Sequence, residues 1–308
     1  MNFLTENTRS IFDRNINLLG DLDKAIYFFR EQQYEKALRI VAESIDMVKL
    51  SLEAIIKEQD YFDLVTTQAL MEMLSGILEA KKNKDFILLA DLLELQLVNF
   101  LIGVQELIID KEEILFDEEN YNDNIRLLLV HGIGFPETLS EPVDTEGLMK
   151  KGYRIEFTSC GQMTLAAEND GVSFYFHSNH KVREEAFLLA KSWVESNRQR
   201  YILYGFGLGY HIRELQELAG EAEIEIYEAD LNVMQLACAF GEVKELLKQK
   251  RITVIYDPEF KLLKDRANQL STEEKLVVHY PSYLNTGLDE GKKLLKEMVP
   301  MLKALDAL

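Results

Sequence analysis

The sequence has very little cysteine. Cys160 and Cys238 are its two cysteines, and they stand far apart in 308 residues. A disulfide framework needs several paired cysteines, and a thiolate zinc site needs a Cys-x-x-Cys pattern. Neither is present, so we expect a fold held by an ordinary hydrophobic core. The chain is long enough for two such cores.

Positive charge is also scarce. Lys and Arg number 34 against 53 Asp and Glu, which gives a net charge of −19. Such a surface repels phosphate backbones, so we expect no nucleic acid partner.

Signals for export or membrane insertion are missing. The first ten residues carry no basic segment followed by an apolar block. The most apolar stretch, residues 86–109, contains Asp91, Glu94 and Glu106, and each acid at the centre of a membrane helix costs about 2.5–3.5 kcal/mol. We therefore predict a buried core helix there, no membrane span and a cytoplasmic protein.

Between residues 8 and 110 there is no proline, and the glycines are Gly20, Gly76 and Gly103. Helical spacing dominates this region, with breaks near Gln32, Gln59 and Asn83 and with Asp85 placed as an N-cap. In the second helix one predicted apolar stripe comprises Ala37, Leu38, Val41, Ile45, Val48, Leu52 and Ile55. We predict an all-α bundle of four helices over residues 1–116. The surface of this bundle is a candidate for binding a protein partner.

The spacing of apolar residues along the chain changes over residues 117–308. Alternating runs over 153–177, with Asn169-Asp170-Gly171 as a turn, predict a small antiparallel meander. Residues 200–308 then alternate strands with helices, which predicts a Rossmann-like parallel sheet of class α/β. The predicted strands are 201–204, 223–228, 252–256 and 276–279; the predicted helices are 209–218, 232–240, 258–270 and 288–305.

A glycine turn follows the first of these parallel strands. Gly205-Phe206-Gly207-Leu208-Gly209-Tyr210 places backbone N–H groups and a helix N-terminus where phosphate or carboxylate groups bind. The dinucleotide fingerprint needs a third glycine where Tyr210 stands, and a P-loop needs Gly-Lys-Ser/Thr, so we favour neither. We predict the turn residues, from Gly205 to Tyr210, as ligand contacts.

Three acids follow the next strands. Glu228 ends the second strand, 228 − 205 = 23 positions after Gly205, and is a candidate ligand contact. Asp230 and Asp257 are candidates for the same ligand, although each also suits a helix N-cap. The Gly-x-Gly-x-Gly form resembles the first motif of S-adenosylmethionine-dependent methyltransferases, but Leu203 stands where that family has an acid.

The histidines carry weaker signals. His177 and His180, three apart, could share a metal, but Ser178 or Asn179 more naturally caps the helix predicted to follow them. His211 is interpreted as a packing or surface residue, and 279–283 as a turn beside the cleft. No metal is predicted.

Several segments together resemble the N-terminal domain of the motility-associated factor (Maf) proteins. They are His177-Ser178, Arg183-Glu184-Glu185-Ala186, Tyr204-Gly205-Phe206-Gly207-Leu208-Gly209-Tyr210-His211 and Ile226-Tyr227-Glu228-Ala229-Asp230. That family glycosylates flagellin from nucleotide-activated sugars, through a central domain that has no counterpart in these residues. The resemblance covers roughly 120–283 and implies a module for nucleotides or nucleotide sugars in flagellar or surface glycosylation, without the transferase itself.

Two other functions stay open. A methyltransferase-like enzyme would bind S-adenosylmethionine at the turn. A non-catalytic interaction protein would use the bundle to bind a partner and would have its cleft filled by Tyr210.

Overall fold

The computed structural model describes residues 6–62, 67–112, 117–169, 171–299 and 302. The chain divides into two compact units. The helical unit comprises Met1–Leu115, Phe157–Gln162 and His180–Glu184, and the α/β unit comprises Phe116–Glu156, Met163–Asn179 and Glu185–Leu308.

The helical unit is built from long helices joined by short links. They are α1 (Glu6–Arg30), α2 (Tyr34–Lys57), α3 (Thr67–Lys82), α4 (Phe86–Leu92) and α5 (Asn99–Lys111), with the π-helical segment Leu93–Val98 joining the last two. The predicted breaks near Gln32 and Asn83 are confirmed, and helix α2 ends at Lys57, close to the break predicted near Gln59. Asp85 caps α4 as predicted, since its side chain accepts from the Leu88 amide at 3.0 Å.

The buried face of α2 differs from the predicted stripe by one position. Ile45 is 51% exposed, whereas Ser44 and Ser51 are buried beside Val41 and Val48. Steps of three and four residues place 41, 44, 48 and 51 on one side of the helix, and the Ser44 hydroxyl donates to Asp21 Oδ2 on α1 at 3.3 Å. Geometry therefore outweighs side-chain hydrophobicity at this turn of the helix.

The apolar helical run Phe86–Lys111 is long and apolar enough to cross a membrane by length and composition, and 44% of its most apolar window is buried. Leu93 and Leu97 lie in the core, whereas Leu95 is 65% exposed. Two of its acids, Asp91 and Glu94, pair with Arg30 on α1 at 2.6 and 3.0 Å. The predicted core helix is thus buried along one side.

The α/β unit begins with helix α6 (Glu118–His131), a 3-10 turn (Glu137–Ser140) and helix α7 (Thr145–Lys150). Its strands are β1 (Arg154–Phe157), β2 (Met163–Asn169), β3 (Val172–Tyr175), β4 (Arg200–Tyr204), β5 (Glu223–Glu228), β6 (Ile252–Tyr256) and β7 (Glu274–Val278). Its other helices are α8 (Val182–Trp193), α9 (Tyr210–Leu218), α10 (Leu231–Phe240), α11 (Val243–Leu247), α12 (Lys261–Ala267), α13 (Tyr280–Leu284) and α14 (Asp289–Met298).

Strands β1, β2 and β3 form a three-stranded sheet in sequence order, and the β2–β3 pair is antiparallel. Asn169 faces Val172 across the predicted turn, and Gly171 has φ +77°. Asp170 of that turn lies outside the described residues. The predicted meander is confirmed.

Strands β4 to β7 form a parallel sheet in the order β6-β5-β4-β7. Alternate residues enter two separate cores: Leu203 and Ile226 lie in one, and Tyr204 and Tyr227 in the other. Helices α6, α8, α9, α10 and α11 contribute to the first core and α12, α13 and α14 to the second. The sheet is therefore covered on both faces, as the alternation of strands and helices predicts.

Candidate functional site

The strand order reverses beside β4. The chain runs from β4 to β5 and β6 on one side, and then returns to place β7 on the other side of β4. The glycine turn follows β4, and His279 follows β7, so both lie at this reversal. In open parallel sheets, ligands bind at such a point, beyond the carboxyl ends of the strands.

The three turn glycines are required by the chain's own packing. Gly205, Gly207 and Gly209 have φ values of +100°, +51° and +91°, a region that L side chains rarely adopt. A Cβ on Gly205 would lie 2.3 Å from Ser282, and one on Gly207 would lie 2.8 Å from His177 Nε2. The atoms that approach these glycines closely are therefore protein atoms.

Two amides of the turn donate to side chains. Phe206 N–H donates to Glu228 Oε2 at 2.9 Å, and Leu208 N–H donates to His177 Nε2 at 2.9 Å. Every residue from Tyr204 to Tyr210 is buried. A carboxylate and an imidazole thus occupy the positions where the amides would hold a phosphate.

Glu228 lies beside the turn, as predicted, but its carboxylate is used internally. Besides the Phe206 amide, it accepts from the amides of Ala229 at 2.9 Å and Asp230 at 3.0 Å. It is 2% exposed. Burial is the main cause that raises the pKa of Glu228 to about 7, with the charge of Asp230 adding to the rise and the three amides opposing it.

Asp230 caps α10, because its side chain accepts from the Asn232 amide at 2.9 Å. Its other oxygen accepts from the Tyr153 hydroxyl and from Asn285 Nδ2, the latter at 2.8 Å. The capping role that the sequence indicates is confirmed, and the remaining acceptor capacity is used by two side chains of the same unit.

Asp257 also binds the start of a helix. It accepts from the amides of Lys261 at 3.1 Å and Leu263 at 2.8 Å. Helix α12 begins at Lys261, later than predicted, because Phe260 has φ +58° and breaks the helical path. Asp257 is 6% exposed.

Tyr210 is 3% exposed and lies against the turn. Its hydroxyl donates to the Met163 carbonyl at 3.0 Å, and its ring meets the His177 ring edge-on, with centroids 4.9 Å apart. The residue that replaces the third fingerprint glycine therefore joins the turn to strand β2.

Three histidines fill the point of reversal. His177 follows β3, His211 lies in the first turn of α9, and His279 follows β7. His211 and His279 stack with centroids 4.1 Å apart and 9° between planes, and His177 lies 5.3 Å from His279. One ring nitrogen from each lies within 4.8 Å of the other two.

All three imidazoles are buried, which lowers their pKa values. Burial is the largest cause for each: it brings the pKa of His211 to about 4 and holds those of His177 and His279 well below the usual range. Repulsion from His211 lowers the other two further. The cluster is therefore uncharged at neutral pH.

Sequence reasoning did not predict this cluster. The histidines are 34 and 68 positions apart (211 − 177 and 279 − 211), so no local motif connects them. One feature of the sequence does indicate that two of them lie close together: His211 and His279 each follow a predicted parallel strand. The residues that follow parallel strands meet at one edge of a sheet. His180, which was paired with His177 in the sequence, instead contacts the Ser159 hydroxyl in the helical unit.

Fold and site together define an α/β protein with a parallel sheet, whose glycine turn is closed by side chains of its own unit. No protein family model matches the chain, and searches of curated proteins and of solved structures also found no match.

Proposed function

We propose that this chain is a non-catalytic accessory module of flagellar or surface glycosylation, built on a Rossmann-like domain related to the N-terminal domain of Maf proteins. The observation that carries the non-catalytic part is that Phe206 and Leu208 donate their turn amides to Glu228 and His177. The glycosylation context rests on the resemblance of residues 120–283.

A bound phosphate would have to compete with both internal acceptors. Replacing the His177 nitrogen at the Leu208 amide requires a buried ring to move. The phosphate would then lie beside Glu228, whose charge repels it whenever that carboxylate is ionised. These two costs favour a turn that stiffens the sheet over one that binds a nucleotide.

The helical unit supports a role in protein contact. Several of its large apolar side chains are exposed, and a contact with another protein would bury them. They include Met71 at 64%, Leu78 at 62%, Ile87 at 69% and Leu95 at 65% exposed. We propose that this unit binds a separate catalytic chain of the same pathway.

Calorimetry tests the ligand part of this proposal. Titration of the full chain with cytidine and uridine nucleotide sugars and with S-adenosylmethionine is expected to give no saturable heat. Saturable binding of any one of them that is lost in Glu228→Gln would overturn it.

A second function is favoured by one specific observation. The turn glycines have positive φ and Glu228 ends the neighbouring strand, a pair of features that resembles the first motif of S-adenosylmethionine-dependent methyltransferases. If His177 swings away on binding, the ligand should shift the imidazole resonances of His177 and leave those of exposed His131 unchanged. A methyltransferase would in addition transfer a labelled methyl group, which a binding module would not.

The pathway is tested separately. Deleting the gene from its source organism should reduce the glycan mass carried by flagellin or by the major surface glycoprotein, measured by intact-protein mass spectrometry. An unchanged mass contradicts the glycosylation context but leaves the argument about the turn intact.

A further inference from the structure

The three buried histidines at the strand-order reversal each place one ring nitrogen within 4.8 Å of the other two. Imidazole suits zinc and its divalent neighbours among the transition metals. We propose that His177, His211 and His279 form a binding site for a divalent transition metal ion of the zinc type. This site goes beyond the proposed function, and an ion on His177 Nε2 would replace the Leu208 hydrogen bond on which that proposal rests.

The hydrogen bonds assign the ring protons of two of the histidines. His211 Nε2 lies 3.1 Å from the Gly205 carbonyl, and His279 Nε2 lies 3.0 Å from the Phe176 carbonyl. A carbonyl only accepts, so both rings carry their proton on Nε2 and present an unprotonated Nδ1. Histidines that bind metals characteristically donate their other N–H to such an acceptor.

One of these Nδ1 atoms has no partner. His211 Nδ1 is buried and makes no hydrogen bond, and His211 as a whole is 0% exposed. Leaving a buried acceptor unpaired is costly, and native proteins rarely do so. A cation at this nitrogen would remove that cost.

The acceptor nitrogens of the other two rings are in hydrogen bonds that an ion would have to replace. His279 Nδ1 accepts from the Ser282 hydroxyl at 2.8 Å, and this hydroxyl can rotate to become a further oxygen ligand. His177 Nε2 accepts from the Leu208 amide. The neutral state of all three rings is the state in which imidazole coordinates a metal.

The spacing allows closure with small movements. Tetrahedral coordination with bonds of about 2.0–2.1 Å places ligand nitrogens roughly 3.3 Å apart. One nitrogen of each ring lies within 4.8 Å of those of the other two, so these atoms must approach by at most roughly 1.5 Å. Because His211 and His279 stack with 9° between their planes, at least one ring must also rotate before both in-plane lone pairs point at one ion at the edge of the stack.

Such an ion would have a structural role. His177, His211 and His279 come from the end of the meander, from helix α9 and from the end of β7. Joining them would fix the meander to the point of strand reversal. The burial of all three residues, which are 0–3% exposed, fits a closed structural site better than a catalytic one, which keeps a position open for water.

The test uses the full chain without a histidine tag, stripped with a chelator and checked for folding by circular dichroism. Titration with Co²⁺ alone should give one equivalent bound, with the visible absorption of a tetrahedral nitrogen site. Excess Zn²⁺ should displace it. X-ray absorption of the zinc form should show histidine nitrogens at about 2.0–2.1 Å.

Variants locate the site. His211→Ala and His279→Ala should each weaken Co²⁺ binding by roughly 100-fold or more, whereas Ser282→Ala should weaken it about tenfold. The control variants His131→Ala and His180→Ala alter the two remaining histidines and should bind as the parent does. If His211→Ala or His279→Ala fails to fold, the Co²⁺ affinities of Ser282→Ala and of the parent protein still test the site.

The proposal is overturned if the folded parent protein binds neither Co²⁺ nor Zn²⁺ stoichiometrically. It is equally overturned if Co²⁺ binding is lost in His131→Ala and His180→Ala and kept in His211→Ala and His279→Ala. Neither result bears on nucleotide binding, which is measured by calorimetry with different ligands.

Discussion

The amide of Leu208 donates to Nε2 of His177 at 2.9 Å, joining the glycine turn after β4 to the chain that leaves the meander. His177→Ala removes the acceptor and leaves both a buried N–H and a cavity. We expect the free energy of unfolding of the α/β unit to fall by about 3–5 kcal/mol. Urea denaturation, followed through the near-ultraviolet signal of Trp193 in the same unit, measures this loss.

His131→Ala is the matched control for that change, because His131 is exposed on α6. It should alter the same free energy by no more than about 0.5 kcal/mol. Equal effects of the two substitutions would contradict the role assigned to His177.

Gly205→Ala tests whether the turn is closed by protein atoms. The new Cβ has an unfavourable φ of +100° and lies 2.3 Å from Ser282, so we expect a loss of roughly 3–5 kcal/mol. Gly220→Ala, with φ +62° and no atom within 4 Å, carries only the backbone cost of about 1–2 kcal/mol. Thermal denaturation of both variants gives the comparison.

Ser282→Gly supplies the complementary change. It removes the atoms that clash, so combining it with Gly205→Ala should recover about 1–3 kcal/mol relative to the sum of the two single effects. Strict additivity would mean that the space in front of Gly205 is open.

Stability should fall as the pH drops below the ordinary histidine range. His177, His211 and His279 stay neutral in the folded state and gain protons on unfolding, which destabilises the fold below about pH 6.5. Glu228 acts in the opposite sense: its folded pKa is raised to about 7, so its contribution to stability is fully present below its unfolded pKa and is lost as the pH rises through 7. The three histidines outweigh Glu228.

From pH 7.5 to 5.5 the three histidines should cost roughly 4 kcal/mol and Glu228 should return roughly 2 kcal/mol, for a net loss of roughly 2 kcal/mol. Urea denaturation in the presence of a chelator measures this difference. In Glu228→Gln the compensating acid is absent, so the loss over the same interval should approach 4 kcal/mol. If the imidazoles titrated normally, Glu228 alone would act and the parent protein would instead gain roughly 2 kcal/mol over this interval.

Local patterns predicted most of the fold. The four parallel strands fall within about two residues of their predicted positions, because β-branched and apolar runs bounded by turn residues define buried strands. The short helices α11 and α13 were not predicted, since each is five residues long and shows no complete helical period. In α2 the face was misplaced at Ile45, because packing geometry put Ser44 inside.

The site was predicted only in part. The turn and Glu228 could be found because consecutive parallel strands bring the end of the second beside the turn after the first. The sequence did not show that Glu228 accepts from an amide of the turn itself. A carboxylate at a strand end can accept equally well from a ligand or from a backbone amide. His177 was beyond reach for a different reason: it comes from the antiparallel meander, whose packing on the parallel sheet depends on the tertiary fold.

The central claim is that the donors of the glycine turn are occupied by the chain's own side chains. Nuclear magnetic resonance of the ¹⁵N-labelled, deuterated chain tests it most directly, through the ¹⁵N–¹⁵N coupling across the bond from the Leu208 amide to His177 Nε2. We predict a resolved coupling, together with slow hydrogen exchange of the Leu208 and Phe206 amides in the absence of any ligand. No coupling, and exchange of both amides as fast as that of Gly171 in the meander turn, would contradict the account.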